Sequence, residues 1–295
     1  MPDLFFSVII PTYNRASFIT NTIRSILSQT YTNFEVIVVD DGSTDNTEDV
    51  VKSIKDERVK YYKRTNAERG AARNFGTQQA KGDYLNFFDS DDIAYPEHLQ
   101  TALELITQNL TPEIVVLNYD ITNTNIQKIR KSPTFNNINK QLIFGNVLSC
   151  NGVFLRKDVA LENPFSEVRE LSASEDYLLW LQLAAMFNIY FSNTKTSAII
   201  EHNNRSVLTM NIDRLIKRKQ IFIKELFDKK VTMEAYRNYE HIILSQLNSY
   251  ISLHAALLKN NRKLSFYYLS KSIVSYPQSI FSRRFLAIIK HLIIN

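Results

Sequence analysis

Asp89-Ser90-Asp91-Asp92 gathers three carboxylates into four residues, and anions so close repel unless a cation lies among them. In an extended chain, residues two apart point to the same side, so Asp89 and Asp91 are expected to share a face. Hard oxygen ligands suit Mg²⁺ or Mn²⁺, which keep waters and take substrate phosphate oxygens as further ligands. Alternatively the run caps the helix opened by Pro96, a task that Asp92, pointing away from the other two, could perform alone. A second acidic pair, Glu175-Asp176, precedes Tyr-Leu-Leu-Trp180. Neighbouring helical residues diverge by about 100°, so only one of the two can face a crevice and serve as a general base. Equally, both could simply cap that helix. His202 and Arg205 follow a late apolar stretch, where each suits either a phosphate or an ordinary structural or solvent-facing role.

These residues need elements to hold them. Apolar runs at 5–10, 34–39, 59–62 and 84–88 read as strands. Between them, helical spacing (Ile19, Ile23, Ile26, Leu27; Val50, Val51, Ile54) and the segment 67–80 read as helices. Strand-helix alternation at this spacing implies right-handed crossovers and a mostly parallel sheet. In such sheets the ligand crevice lies beyond the carboxyl ends of the strands. Three of those ends carry polar clusters: Pro11-Thr12-Tyr13-Asn14-Arg15, Asp40-Asp-Gly-Ser-Thr and the acidic run. Further strands are expected at 114–117, 153–156, 189–191 and 198–201, a polar Asn-rich stretch at 118–140, and a helix at 175–187. Beyond about 208 the pattern is helical and free of glycine.

Five motifs, in order, resemble glycosyltransferase family 2, the inverting enzymes of GT-A fold: Val8-Ile-Ile-Pro-Thr-Tyr-Asn-Arg15, Val38-Val-Asp-Asp-Gly-Ser-Thr-Asp45, Ala72-Arg-Asn-Phe-Gly76, Phe88-Asp-Ser-Asp-Asp92 and Ser174-Glu-Asp-Tyr-Leu-Leu-Trp180. The resemblance covers about the first two hundred residues and implies an α/β GT-A domain over 1–208, Rossmann-like, followed by a helical extension over 209–295. It also implies transfer of a sugar from a nucleotide-diphosphate donor, usually a UDP-sugar, to a hydroxyl of a saccharide or lipid-linked saccharide. Thr12 and Tyr13 would lie against the nucleobase, with Asp40 on its imide edge; Pro11, Arg15, Arg73 and Ser90 belong to the same donor-binding motifs. A tyrosine face can stack and a carboxylate can accept from N–H, though Tyr13 could instead pack on the next helix. Asn74 accompanies Arg73 near the acidic pair, Asp91 is the better metal candidate beside Asp89, His202 approaches metal and diphosphate, and Asp176 is the base with Glu175 behind it. Glu68 stands where the family often has glycine.

The bulk properties narrow the field. Hydrophobic residues at 44% and charged residues at 22% describe an ordinary globular chain. The single Cys150 excludes an intrachain disulfide and a cysteine zinc site, which points to a reducing cytoplasm. No Gly-x-Gly-x-x-Gly or Gly-Lys-Ser/Thr motif occurs, which removes the main support for dinucleotide or P-loop readings, and nothing calls for nucleic acid. Residues 210–295 hold 15 Lys/Arg against 5 Asp/Glu, so this part should meet something anionic or present a solvated surface. Phe281, Phe285, Ile288, Ile289, Leu292 and Ile293 form one stripe of a basic helix, which can lie on the inner face of a membrane or dock on the core. The rival functions are a nucleotidyltransferase acting on sugar phosphates and a catalytically silent sugar- or partner-binding module.

Overall fold

In the computed structural model, which describes residues 3–202, 211–258 and 261–294, the first apolar run forms β1 (Phe6–Thr12), with all seven residues buried. A strand with no polar face must be covered on both sides. Val8 and Ile10 face one cluster with Ile19, Ile23 and Leu99; Ile9 faces another with Ile37, Val39 and Trp180. The strand continues through Pro11, beyond its expected end. It can do so because β1 pairs with β4 (Tyr84–Phe87) only as far as Ile9, leaving one partner strand beside the proline.

β1 is followed by α1 (Ile19–Leu27), β2 (Phe34–Asp40), α2 (Thr47–Lys52), β3 (Val59–Lys63), α3 (Glu68–Gln79) and then β4. These four strands lie in the order β3-β2-β1-β4, all parallel. Their carboxyl ends therefore open on one edge, where the polar clusters sit. α3 approaches β1 closely at Gly76, where a Cβ would overlap the Ile9 side chain. Gly42 holds φ +83°, which turns the chain just beyond β2.

Past β4 come β5 (Ile93–Ala94), α4 (His98–Gln108), β6 (Ile114–Asn123), β7 (Lys128–Arg130), α5 (Ile138–Gln141), β8 (Val153–Arg156), α6 (Lys157–Glu162), α7 (Glu175–Met186) and β9 (Tyr190–Glu201). The sheet continues β4-β8-β6-β9-β5, with β7 on β6. Because β8 runs antiparallel to both β4 and β6, the parallel arrangement holds for β1 to β4 and the sheet is mixed beyond. The two short strands expected at 189–191 and 198–201 are one strand, β9, whose register on β6 shifts around Asn118. Within the Asn-rich stretch β6 extends to Asn123 and turns into β7, with Ile126 at φ +60°.

The remaining helices are α8 (Ile212–Asp228), α9 (Lys230–Tyr236), α10 (Glu240–Leu257), α11 (Arg262–Ser275) and α12 (Arg283–Ile294). Phe222, Leu226, Tyr236, Ile242 and Ile243 join the same apolar cluster as Trp180 and Leu178. The first of these helices thus complete the core behind α7.

Candidate active site

The residues after β4 do not stay extended. They form a turn in which the Asp92 N–H donates to the Asp89 carbonyl at 3.3 Å, so two-residue alternation does not place these side chains. Asp89 Oδ1 accepts from Arg73 Nη2 at 3.0 Å. Asp91 Oδ2 accepts from Arg15 Nε at 3.2 Å and lies 3.0 Å from His202 Nε2. Asp92 points away from them, as expected, but caps no helix: α4 has no side-chain cap. Its buried carboxylate accepts from the Ile200 N–H at 2.8 Å and from Asn151 Nδ2 at 2.7 Å. Burial, then the neighbouring Asp91 and Asp89, push the Asp92 pKa well above the usual carboxylate range. Asn151 Oδ1 in turn accepts from the Asp89 N–H at 2.8 Å, so one amide holds both ends of the turn. Ser90 is buried within it.

Arg73 ties this turn to α7. Its guanidinium is 2% exposed, lies over the Phe165 ring and donates to Asp89 and, through Nη1 at 2.7 Å, to Glu175 Oε1. So enclosed, Arg73 faces the acids rather than an open donor site. Asn74 likewise turns from the crevice, exchanging hydrogen bonds with the Phe165 backbone and donating to Glu167. Glu175 is buried; burial alone would raise its pKa, but Arg73 and Arg69 hold it below the ordinary value. Asp176, one residue on, is only half-buried and accepts from Asn146 Nδ2 at 3.0 Å. Burial, then the charge of Glu175, raises its pKa to about 6. A carboxylate tuned to that range is a far better base than an ordinary aspartate.

At the other strand ends, Tyr13 is 46% exposed beside Asn14, which has φ +50°. Its ring makes no aromatic contact among the described residues and is open for stacking. Thr12 is buried, and among the described residues its Oγ1 has no hydrogen-bond partner. Asp40 does not face the crevice: it is fully buried, Oδ1 accepting from the Ser43 N–H at 2.7 Å and Oδ2 from the Tyr61 hydroxyl at 2.6 Å. Its neighbour Asp41 lies beyond the strand, accepting from the Ala67 N–H at 3.0 Å, its pKa raised by burial.

For a divalent cation, the chemistry of the donor set is the test. Among the described residues no three His, Cys, Asp or Glu side chains form a ready metal group. Asp91 Oδ2 and His202 Nε2 stand 3.0 Å apart, within hydrogen-bond distance. His202 stacks on Phe18 with centroids 4.4 Å apart, which fixes its ring. Mg²⁺ and Mn²⁺ prefer oxygen and are usually held by one or two carboxylates with waters and phosphate oxygens. Asp91 and Asp89 are donors of that type, whereas the His202 nitrogen suits a phosphate oxygen at least as well. Arg205 lies outside the described residues.

Sequence reasoning missed Asn151, Asn146 and Tyr61. Asn151 had a usable signal: an amide amid the apolar run Val147 to Leu155 must find partners if buried. Asn146 and Tyr61 carried none.

Residues 7–159 match the family described as Glycosyl transferase family 2. The chain is 31% identical over 272 residues to the Escherichia coli UDP-Glc:alpha-D-GlcNAc-diphosphoundecaprenol beta-1,3-glucosyltransferase WfgD, covering 89% of this chain and 100% of that one. It is 33% identical over 198 residues to an uncharacterized glycosyltransferase of Rickettsia conorii, covering 63% of this chain but only 31% of that relative's length. Among solved structures, S. aureus TarS in complex with UDP superposes with a TM-score of 0.67 at 21% identity, over 98% of this chain and 88% of that one. A mannosyltransferase from Pyrobaculum calidifontis in complex with GDP-Man and Mn²⁺ gives 0.56 at 16% identity, over 95% and 88%. The fold is thus of GT-A type, and by the match over 7–159 and the relation to WfgD the chain belongs to glycosyl transferase family 2.

Proposed function

We propose that this protein transfers a sugar from a UDP-sugar to a hydroxyl of a lipid-linked saccharide, with inversion, in the making of a cell-surface polysaccharide or glycolipid. The observation that carries this reading is the Arg73 bridge: by holding Glu175 and Asp89 together, it sets Asp176 beside the acidic turn, so that a tuned base adjoins a cation-suited pair. In this reading Asp176 takes the acceptor proton as its oxygen attacks the anomeric carbon. Tyr13 stacks on the nucleobase. Asp91 and Asp89 would hold Mn²⁺ or Mg²⁺, which when bound supplies positive charge to the diphosphate leaving group, with His202 approaching the metal or the diphosphate. Residues 1–208 supply the catalytic unit, and 209–295 support it and meet the membrane.

A structural neighbour and a relative support donor and acceptor: TarS is seen in complex with UDP, and WfgD is named as acting on a diphosphoundecaprenol-linked sugar. A lipid-linked acceptor would bring the protein to the cytoplasmic face of a membrane; among the described residues no helix is long and apolar enough to cross one. The test is incubation with UDP-sugars, Mn²⁺ and a lipid-linked acceptor, measuring UDP release and product. Pyrophosphate release from UTP would instead identify a nucleotidyltransferase. Absence of turnover on every donor, with no thermal stabilisation by UDP and Mn²⁺, would leave a silent binding module.

A further inference from the structure

The acidic crevice does not account for the charge at the other end of the chain. Residues 241–295 contain seven Lys or Arg and no Asp or Glu. α11 and α12 both use their inner faces on α10: Ser265 and Ser272 exchange hydrogen bonds with Ser252 and Ser245, while Ile288 and Leu292 pack with Ala256 and Leu269. Arg262 Nη2 donates to the Leu292 carbonyl at 2.7 Å, which sets the start of α11 beside the end of α12. With their inner faces so occupied, the outer faces of both helices look away from α10.

Those outer faces mix cations with apolar side chains. On α11 the exposed residues include Lys263, Phe266, Tyr267, Lys271 and Val274; on α12 they are Arg283, Leu286, Lys290 and Ile293. Apart from the adjacent Phe266 and Tyr267, each set recurs at three- and four-residue steps, hence along one side of its helix. Val274 and Phe281 are 83% exposed and Ile293 75%. Single exposed apolar residues are ordinary; several of them alternating with cations on neighbouring helices, with no acid in 55 consecutive residues, are not.

We propose that the outer faces of α11 and α12, with Phe281 between them, dock on an anionic lipid bilayer. The apolar side chains enter the headgroup boundary and the lysines and arginines meet lipid phosphates, the division of labour of an interfacial helix. This surface differs from the stripe expected for α12, because Ile288 and Leu292 are committed to packing. A second copy of the chain is the poorer partner, since a face of one charge sign repels its own image. The proposal deepens the reading of a lipid-linked acceptor, but docking requires neither donor nor metal, so it can be tested apart from activity.

The full-length protein would be sedimented with phosphatidylcholine vesicles, with and without about a third phosphatidylglycerol. We expect pelleting with the anionic vesicles only, lost in high salt. Lys271→Gln and Lys290→Gln should each weaken the partition about fivefold, as for one cation near such a surface. Phe281→Ser, at a site with little to lose on folding, should weaken it comparably, with circular dichroism unchanged. Wild-type protein left in the supernatant, or equal binding to neutral vesicles, would overturn the proposal. So would a dimer in ultracentrifugation that Phe281→Ser dissociates.

Discussion

The turn after β4 and the start of α7 use the same device with opposite electrostatics. Each presents two adjacent acids, one toward the crevice and one bonded inward: Asp91 with Asp92, and Asp176 with Glu175. Asp92 is held by neutral donors, the Ile200 N–H and the Asn151 amide, and its pKa is raised. Glu175 is held by a buried guanidinium and its pKa is lowered. The turn can therefore lose a charge without stranding one, whereas α7 cannot: a neutral Glu175 leaves Arg73 enclosed with Asp89 as its remaining carboxylate partner. The outward acids inherit the difference, for Glu175 is one cause of the raised pKa of Asp176.

The largest expected effect breaks the outward member of the α7 pair. Asp176→Asn should lower turnover about 10²–10⁴-fold with donor binding retained, measured by steady-state UDP release and by titration of UDP. Stability should move the other way. Burial and Glu175 raise the folded pKa of Asp176 to about 6, above the ordinary 3.8. Its protonated form is therefore favoured by folding, and the stability gained at low pH is lost as pH rises through about 6. At pH 7 the neutral asparagine should melt higher than wild type. Undiminished transfer would remove Asp176 from the mechanism.

Next come the inward members. Glu175→Gln should cost about 3–5 kcal/mol in denaturant unfolding, because a buried cation loses its closest partner. Asp92→Asn should cost less, about 1–3 kcal/mol, because its amide can satisfy one of two donors and no cation is left behind. Equal costs would erase the distinction between the two sites.

How much of this was readable in advance follows the range of the forces involved. β1 to β4 and their helices were legible because their apolar runs and helical spacings are local, and the polar strand ends followed from topology. The division between Glu175 and Asp176 is also legible, since helical geometry forces one of the two inward, and the family resemblance names Asp176 as the outward one. The resemblance puts Asp40 on the imide edge of the nucleobase, whereas its carboxylate turns inward to Tyr61, a contact 21 residues away with no local trace. An extended acidic run is the local expectation, but its turn is fixed by Asn151 from 59 to 62 residues downstream. β9 was split in two because its middle, Ser192 to Thr196, is polar; pairing with β6 supplies what the pattern lacks.

The smallest effect tests the tuning of the outward base. Asn146 donates to Asp176 Oδ2, and a donor to a carboxylate favours its charged form. Asn146→Ala removes that preference while leaving burial and Glu175, the two main causes of the raised pKa. Because the base must be ionised to accept the proton, wild-type turnover should rise with pH through about 6. In Asn146→Ala that limb should move to higher pH, by about half a unit for one partly exposed hydrogen bond, with the plateau nearly kept. A limb shifted to lower pH, or unmoved, would mean that the Asn146 contact does not act on the ionised carboxylate. A lowered plateau with an unmoved limb would assign Asn146 to holding the acceptor instead.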